Sequence, residues 1–155
     1  MGLWEDAQHA NAESDRAAQQ RQRELSDRAR RQRDQLREFV EAMNRLGVAV
    51  ERYRLHATKI AYGDTYCIDS RKAVTGWSFY SWSDLHRTFH YVVTPELEVY
   101  NTATQRMEPG FMGFGQRWTV TPLDLPIDQV RGLSYSERPL EQALKEKLAQ
   151  LLRER

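Results

Sequence analysis

The sequence predicts an α+β fold: a long N-terminal helix, a small and mainly antiparallel β-sheet domain, and a C-terminal amphipathic helix packed on that sheet. Three observations carry the prediction. Residues 1–46 are rich in Ala, Gln, Glu and Arg, contain no proline and hold glycine only at Gly2, which is the composition of a helix. Residues 47–137 contain every aromatic residue except Trp4 and Phe39, and every proline except Pro139. Residues 138–155 return to Leu, Glu, Lys and Arg at helical spacing. These shifts divide the chain into a charged helix (1–46), an aromatic-rich sheet domain (47–137) and a closing helix (138–155) that belongs to the sheet domain.

The first element is justified by its periodicity. Leu25, Ala29, Gln32, Leu36, Phe39, Met43, Leu46 and Val50 recur at alternating steps of four and three, the spacing of a coiled-coil seam. Glu24 with Arg28 and Asp27 with Arg31 are i,i+4 pairs in the favourable order. Extended toward the N-terminus, the register meets mostly polar residues, with Ala18 and Trp4 as its apolar members, so residues 1–20 are expected to fray. A shifted stripe of Leu3, Ala7, Ala10, Ser14 and Ala17 needs a stutter to join the seam. Forty-odd residues at about 1.5 Å each span on the order of 60 Å. The remaining globule is roughly 35 Å across. The helix therefore overhangs its own domain, to pair with another chain or to stand solvated.

The middle zone alternates as strands do. Residues 48–56 fit either a helical continuation or a strand. Ile60-Ala61-Tyr62 and Tyr66-Cys67-Ile68 flank Gly63-Asp64-Thr65, a hairpin signal. Val74 to Trp82 is a strand, with Trp77 and Phe79 expected on one face and Tyr80 and Trp82 on the other. Phe89 to Val93 alternates again, and Pro95-Glu96 turns it into Leu97–Tyr100. Gly110, Gly113 and Gly115 mark a loop. Arg117 to Thr121 reads as the last strand, and Pro122 to Tyr135 as irregular. In the tail, Leu140, Leu144, Leu148 and Leu151 form one apolar stripe, and Ser134 to Glu137 offers a capping box.

Composition excludes several classes. The 155 residues carry 23 basic and 22 acidic side chains, a formal net charge of +1. This leaves no whole-chain field toward nucleic acid or an anionic membrane. The single cysteine, Cys67, excludes an internal disulfide framework and any multi-cysteine zinc site. No apolar run approaches the length of a membrane span. The N-terminus lacks the basic-then-apolar pattern of a secretory signal, and Asp6 occupies the position where a myristoylation motif needs Ser or Thr. A cytoplasmic protein with no membrane partner is the expectation.

Candidate chemistry is sparse. His86 and His90, with Asp84 nearby, have ligand-like spacing, but neither a zincin glutamate nor a third histidine accompanies them. No metal and no cofactor is therefore assigned. Cys67 between Tyr66 and Ile68 reads as a small buried hydrophobe. Neither a nucleophile elbow nor a phosphate-binding glycine loop is present, so no catalytic residue is named. Two speculative sites remain: an aromatic and histidine pocket of Trp77, Tyr80, Trp82, His86 and His90, and phosphate contacts from Arg16, Arg21, Arg23, Arg28, Arg30, Arg31, Arg33 and Arg37. Those arginines surround the helix rather than forming one stripe, and Glu24, Asp27 and Asp34 interrupt them. The leading functional expectation is a non-enzymatic interaction or oligomerisation module that uses the Leu25–Val50 seam. Its partner would be itself, with a dimer favoured over higher states, or another helical protein. Nucleic-acid binding is the first alternative and a small-molecule binder or enzyme the second.

Overall fold

A computed structural model describes residues 2–55, 57–61, 64–68, 73–84, 87–102, 106–109, 116–119, 121–132 and 136–154; for 57–61, 64–68, 84, 87, 106–109 and 116–119 the backbone alone is described. The expected α+β architecture is present. Helix α1 (Leu3–Arg45) leads into strands β1 (Glu51–Arg54), β2 (Ala57–Ala61), β3 (Asp64–Ile68), β4 (Ala73–Asp84), β5 (Arg87–Val93) and β6 (Val99–Asn101). Strands β7 (Arg106–Pro109), β8 (Gln116–Thr119), β9 (Val130–Arg131) and β10 (Glu137–Arg138) follow, and helix α2 (Leu140–Arg153) closes the chain. The main sheet is antiparallel, in the order β1-β4-β5-β6; β2-β3, β7-β8 and β9-β10 are separate two-stranded pairs.

Helix α1 runs unbroken because nothing after Gly2 interrupts its helix formers, and it stops where Gly47 permits a left-handed residue (φ 64°). The Gly47 amide donates to the Asn44 carbonyl and the Val48 amide to the Met43 carbonyl. These two bonds satisfy carbonyls that a helix end otherwise leaves open. Residues 51–54 are thus strand, which decides between the two readings of that segment. The β2-β3 hairpin forms as expected, with Ile60 opposite Thr65 and Ala61 opposite Asp64. The turn between β5 and β6 falls at Pro95-Glu96 and carries Leu97 at φ 66°. It is held by the Thr94 amide donating to the Glu98 carbonyl, the Leu97 amide to the Thr94 carbonyl and the Glu98 amide to the Thr94 hydroxyl.

Three expectations need correction. The β4-β5 register shifts between Ser78 and Tyr80. This bulge places an extra residue in β4 and reverses the alternation beyond it. Trp77, Phe79, Tyr80 and Trp82 consequently all join the helix-covered core instead of dividing between two faces. The capping box is not used: α2 starts at Leu140 behind Pro139, while Glu137 pairs with Arg131 in the β10-β9 ladder. That ladder also interrupts the run expected to be irregular, so the strand containing Arg117 is not the last.

The core lies between one face of the sheet and the two helices. Leu36, Phe39, Val40 and Met43 of α1 meet Trp77, Phe79, Tyr91, Val93 and Val99 of the sheet and Leu140, Ala143 and Leu144 of α2. Phe39 meets Phe79 edge-on at 6.5 Å between ring centres, and Phe79 lies 5.8 Å from Tyr91. Each fully buried large side chain contributes about 1.5–3 kcal/mol. Leu148 and Leu151 complete the stripe of α2 along the same core. Gly132 lies against the Tyr80 ring, and a Cβ there would displace the hydroxyl end of that ring.

Candidate functional site

Among the described residues two features lie outside that core: the overhanging half of α1, and a groove lined from β1, β4 and β5. The division of α1 is abrupt. Every residue from Gly2 to Asp27 is exposed, and burial begins at Arg28 and Ala29. The change occurs where the segment after Pro122 comes up against the helix. Arg28 binds Asp128 at 2.6 Å. Gln32 donates to the Ile127 carbonyl and accepts from the Ile127 amide, both at 2.7 Å. The exposed arm of 25 or so residues is therefore on the order of 37 Å long. It presents Leu3 (90% exposed), Trp4 (75%) and Leu25 (47%) to solvent.

The seam predicted from sequence is accordingly split. Gln32, Leu36, Phe39 and Met43 are buried in the chain's own domain, and Ala29 and Leu46 are half-buried. Leu25 is exposed on the arm, and Val50 (42% exposed) lies beyond the helix end. The strongest seam positions thus form the bond between helix and sheet. Of the eight arginines, Arg28 is half-buried and the other seven are exposed around the helix. Arg30 pairs with Asp27 and Arg37 with Asp34. Among the described residues, Arg16, Arg21 and Arg23 make no ion pair.

The groove gathers Glu51 and Tyr53 of β1, Ser78 and Ser81 of β4 and His90 of β5, and Met43 of α1 and Trp77 also line it. Tyr53 donates its hydroxyl to Glu51 at 2.8 Å, and its ring lies 4.9 Å from that of His90. The Ser78 Oγ stands 3.4 Å from His90 Nδ1 but is also 3.3 Å from the Tyr80 carbonyl, to which it donates. Burial and the Glu51 carboxylate push the Tyr53 hydroxyl up to about 12, and burial holds His90 below its ordinary value. Tyr100, hydrogen-bonded to Glu98 at 2.9 Å, is likewise raised to about 12, chiefly by burial. The groove is about 250 Å³ and also touches Lys147. Glu51 is engaged by Tyr53 and the serine hydroxyl by a backbone carbonyl. A connected nucleophile, base and orienting group is therefore not assembled here.

Of the expected aromatic and histidine pocket, Trp77 and His90 line this same groove, with the Trp77 indole donating to the Val48 carbonyl. Tyr80 and Trp82 pack against the core, Trp82 near Phe89 and Tyr91, and His86 lies outside the described residues. Among the described residues no group of three or more His, Cys, Asp or Glu is placed to hold a metal ion, and no helix is long and apolar enough to cross a membrane. Comparison with known proteins finds no matching family model, curated protein or solved structure. The Glu51–Tyr53–His90 cluster is not legible in the sequence because β1 and β5 are brought together only by the β4 strand between them. Residues 3–15 of α1 carry acids and no Lys or Arg, and the arginines begin at Arg16.

Proposed function

We propose that this chain is a non-enzymatic interaction module that self-associates through the exposed arm of α1. The observation that supports this reading is the arm itself: an unbroken helix, exposed on all sides, with Leu3, Trp4 and Leu25 in water. An isolated helix gains little stability without packing, so a continuous helical sequence of this length finds its stabilisation in a second helix. Leu36, Phe39 and Met43 hold the other half of α1 to the sheet and so give the arm a rigid base. The arginines surround the helix, and several are tied to carboxylates, which disfavours a phosphate-tracking stripe. Light scattering on the full chain, and on a chain lacking residues 2–24, tests the proposal. A full-length oligomer that becomes monomeric on deletion supports it; a full-length monomer across micromolar concentrations sinks it. Titration of RNA or DNA at two salt concentrations checks the alternative, because phosphate contacts lose affinity steeply as salt rises.

A further inference from the structure

The arm of α1 has a charge pattern that selects its partner. Residues 3–15 contain Glu5, Asp6, Glu13 and Asp15 and no Lys or Arg, a net charge of −4. Residues 16–31, which run from the arm into the packed part of the helix, contain six arginines against Glu24 and Asp27, a net charge of +4; of the six, Arg28 is paired with Asp128 and Arg30 with Asp27. The two blocks are nearly equal in length and opposite in sign, on one continuous helix. We infer that the arm pairs antiparallel with the arm of a second copy of this chain, the acidic block of each lying along the basic block of the other. This rests on the reading that the arm self-associates, and it adds the orientation and the groups that impose it. A parallel pair would set acid against acid and arginine against arginine along the whole contact.

The helix geometry agrees in detail. At about 100° per residue, Trp4, Ala7, Ala18 and Leu25 share the face of Ala29. When two such faces meet antiparallel with Trp4 opposite the second copy's Ala29, the arms overlap over their full exposed length. Each tip then reaches the point where the other helix enters its globular domain. Antiparallel packing brings like flanks together. Glu5 is on the flank of Arg23 and Arg30, while Asp6 and Glu13 lie toward the flank of Arg21 and Arg28. The overlap brings Glu5 level with the second copy's Arg28 and Arg30, and Glu13 level with its Arg21. The acids stand more than about 100° from the centre of the seam, so the attraction acts between whole blocks of opposite charge along the pair.

The apolar tip also has a place to go. Ala29 borders a groove of about 440 Å³ whose apolar wall includes Leu97, Leu123 and Leu125. In the antiparallel overlap Trp4 comes level with the second copy's Ala29, beside that groove, whose rim also carries Arg33, Glu96, Glu98 and Asp124. Closed two-fold pairing of this kind uses the same surface on both copies and leaves no free end for further addition.

Disulfide trapping in a full-length chain carrying Cys67→Ser, its fold verified by circular dichroism, decides the orientation. A mixture of Ala7→Cys and Leu25→Cys chains is expected to give the mixed disulfide, and Ala7→Cys alone none. Sedimentation on the otherwise unaltered chain is expected to show a dimer whose dissociation constant weakens by at least about tenfold between about 0.1 and about 1 M salt, as the Debye length falls from about 10 Å to about 3 Å. The Glu5→Lys, Asp6→Lys, Glu13→Lys chain and the Arg21→Glu, Arg23→Glu, Arg30→Glu chain should each be monomeric, and their mixture should dimerise. An Ala7–Ala7 disulfide, or a dimer strengthened by salt, overturns the antiparallel inference while leaving self-association standing. A monomer at every salt concentration overturns both.

Discussion

At the scale of single residues, Gln32 has the most consequential side chain in the molecule. It sits in the apolar periodicity of α1, where spacing alone reads it as a polar interruption of a coiled-coil seam. Its amide instead closes two hydrogen bonds with the Ile127 backbone, deep in the structure. Gln32→Ala leaves a buried amide and carbonyl unpaired, each costing about 1–3 kcal/mol. The urea midpoint should fall accordingly, and a change within experimental error would refute the clamp. Spacing could show that position 32 faces the core but not that a backbone 95 residues away completes it. The half-buried Tyr53, Tyr100 and His90 make a second residue-scale prediction, in pH. Tyr53 and Tyr100 are both held well above their ordinary value, near 12. The folded state therefore keeps its phenolic protons while the unfolded chain loses them. The stability this contributes is complete below about pH 10 and is lost as pH rises toward 12. His90 works in the opposite range: its lowered value favours the folded state above about pH 6.5 and withdraws that contribution as pH falls. Denaturation at stepped pH should show losses at both ends. Tyr53→Phe should reduce the alkaline loss and His90→Gln the acidic one; a profile unchanged by either variant would refute the assignment.

At the scale of elements, α1 is two structures on one helix. Leu36 and Leu25 belong to the same sequence periodicity, yet Leu36 is fully buried and Leu25 about half exposed. Leu36→Ala should cost about 2–5 kcal/mol, the range for truncating a buried leucine. Leu25→Ala should stay within about 0.5 kcal/mol at concentrations too low for association. Equal effects in denaturant titrations would mean that the helix is packed along its length or not at all. The helix, the change of composition near Gly47, the apolar stripe of α2 and most strand positions were legible in the sequence, because each is written in local periodicity or composition; that the helix ends at Gly47 was not. The rest depended on pairings between distant segments. A one-residue bulge in β4 sends Tyr80 and Trp82 to the same side as Trp77, and no pattern within β4 announces it. The β9-β10 ladder is two residues per strand, too short for any alternation to be seen. The candidate site divides in the same way. The exposed arm and its two charge blocks can be read directly along the chain, whereas the Tyr53–His90 cluster exists only after three strands are placed in register.

At the scale of the whole molecule, the globular unit is the sheet together with α2 and the C-terminal half of α1, and the arm is an addition to it. A cut at residue 47 removes Leu36, Phe39, Val40 and Met43 from the core, so residues 47–155 alone should not fold. A cut that removes residues 2–24 takes away only exposed side chains and should leave the dilute-solution melting midpoint within a few degrees of the full chain. If the arm joins two copies, association binds the folded state and not the unfolded one, so stability grows with concentration. At a hundred times the dissociation constant the added stability is about 2.7 kcal/mol. Thermal melts of both chains over a hundredfold range of concentration separate the roles of the two halves. The full chain should melt higher as it is concentrated, and the arm-deleted chain should melt at one temperature throughout. A parallel rise in both would place the association on the globular unit, and a flat response in both would leave the arm without a second copy to bind.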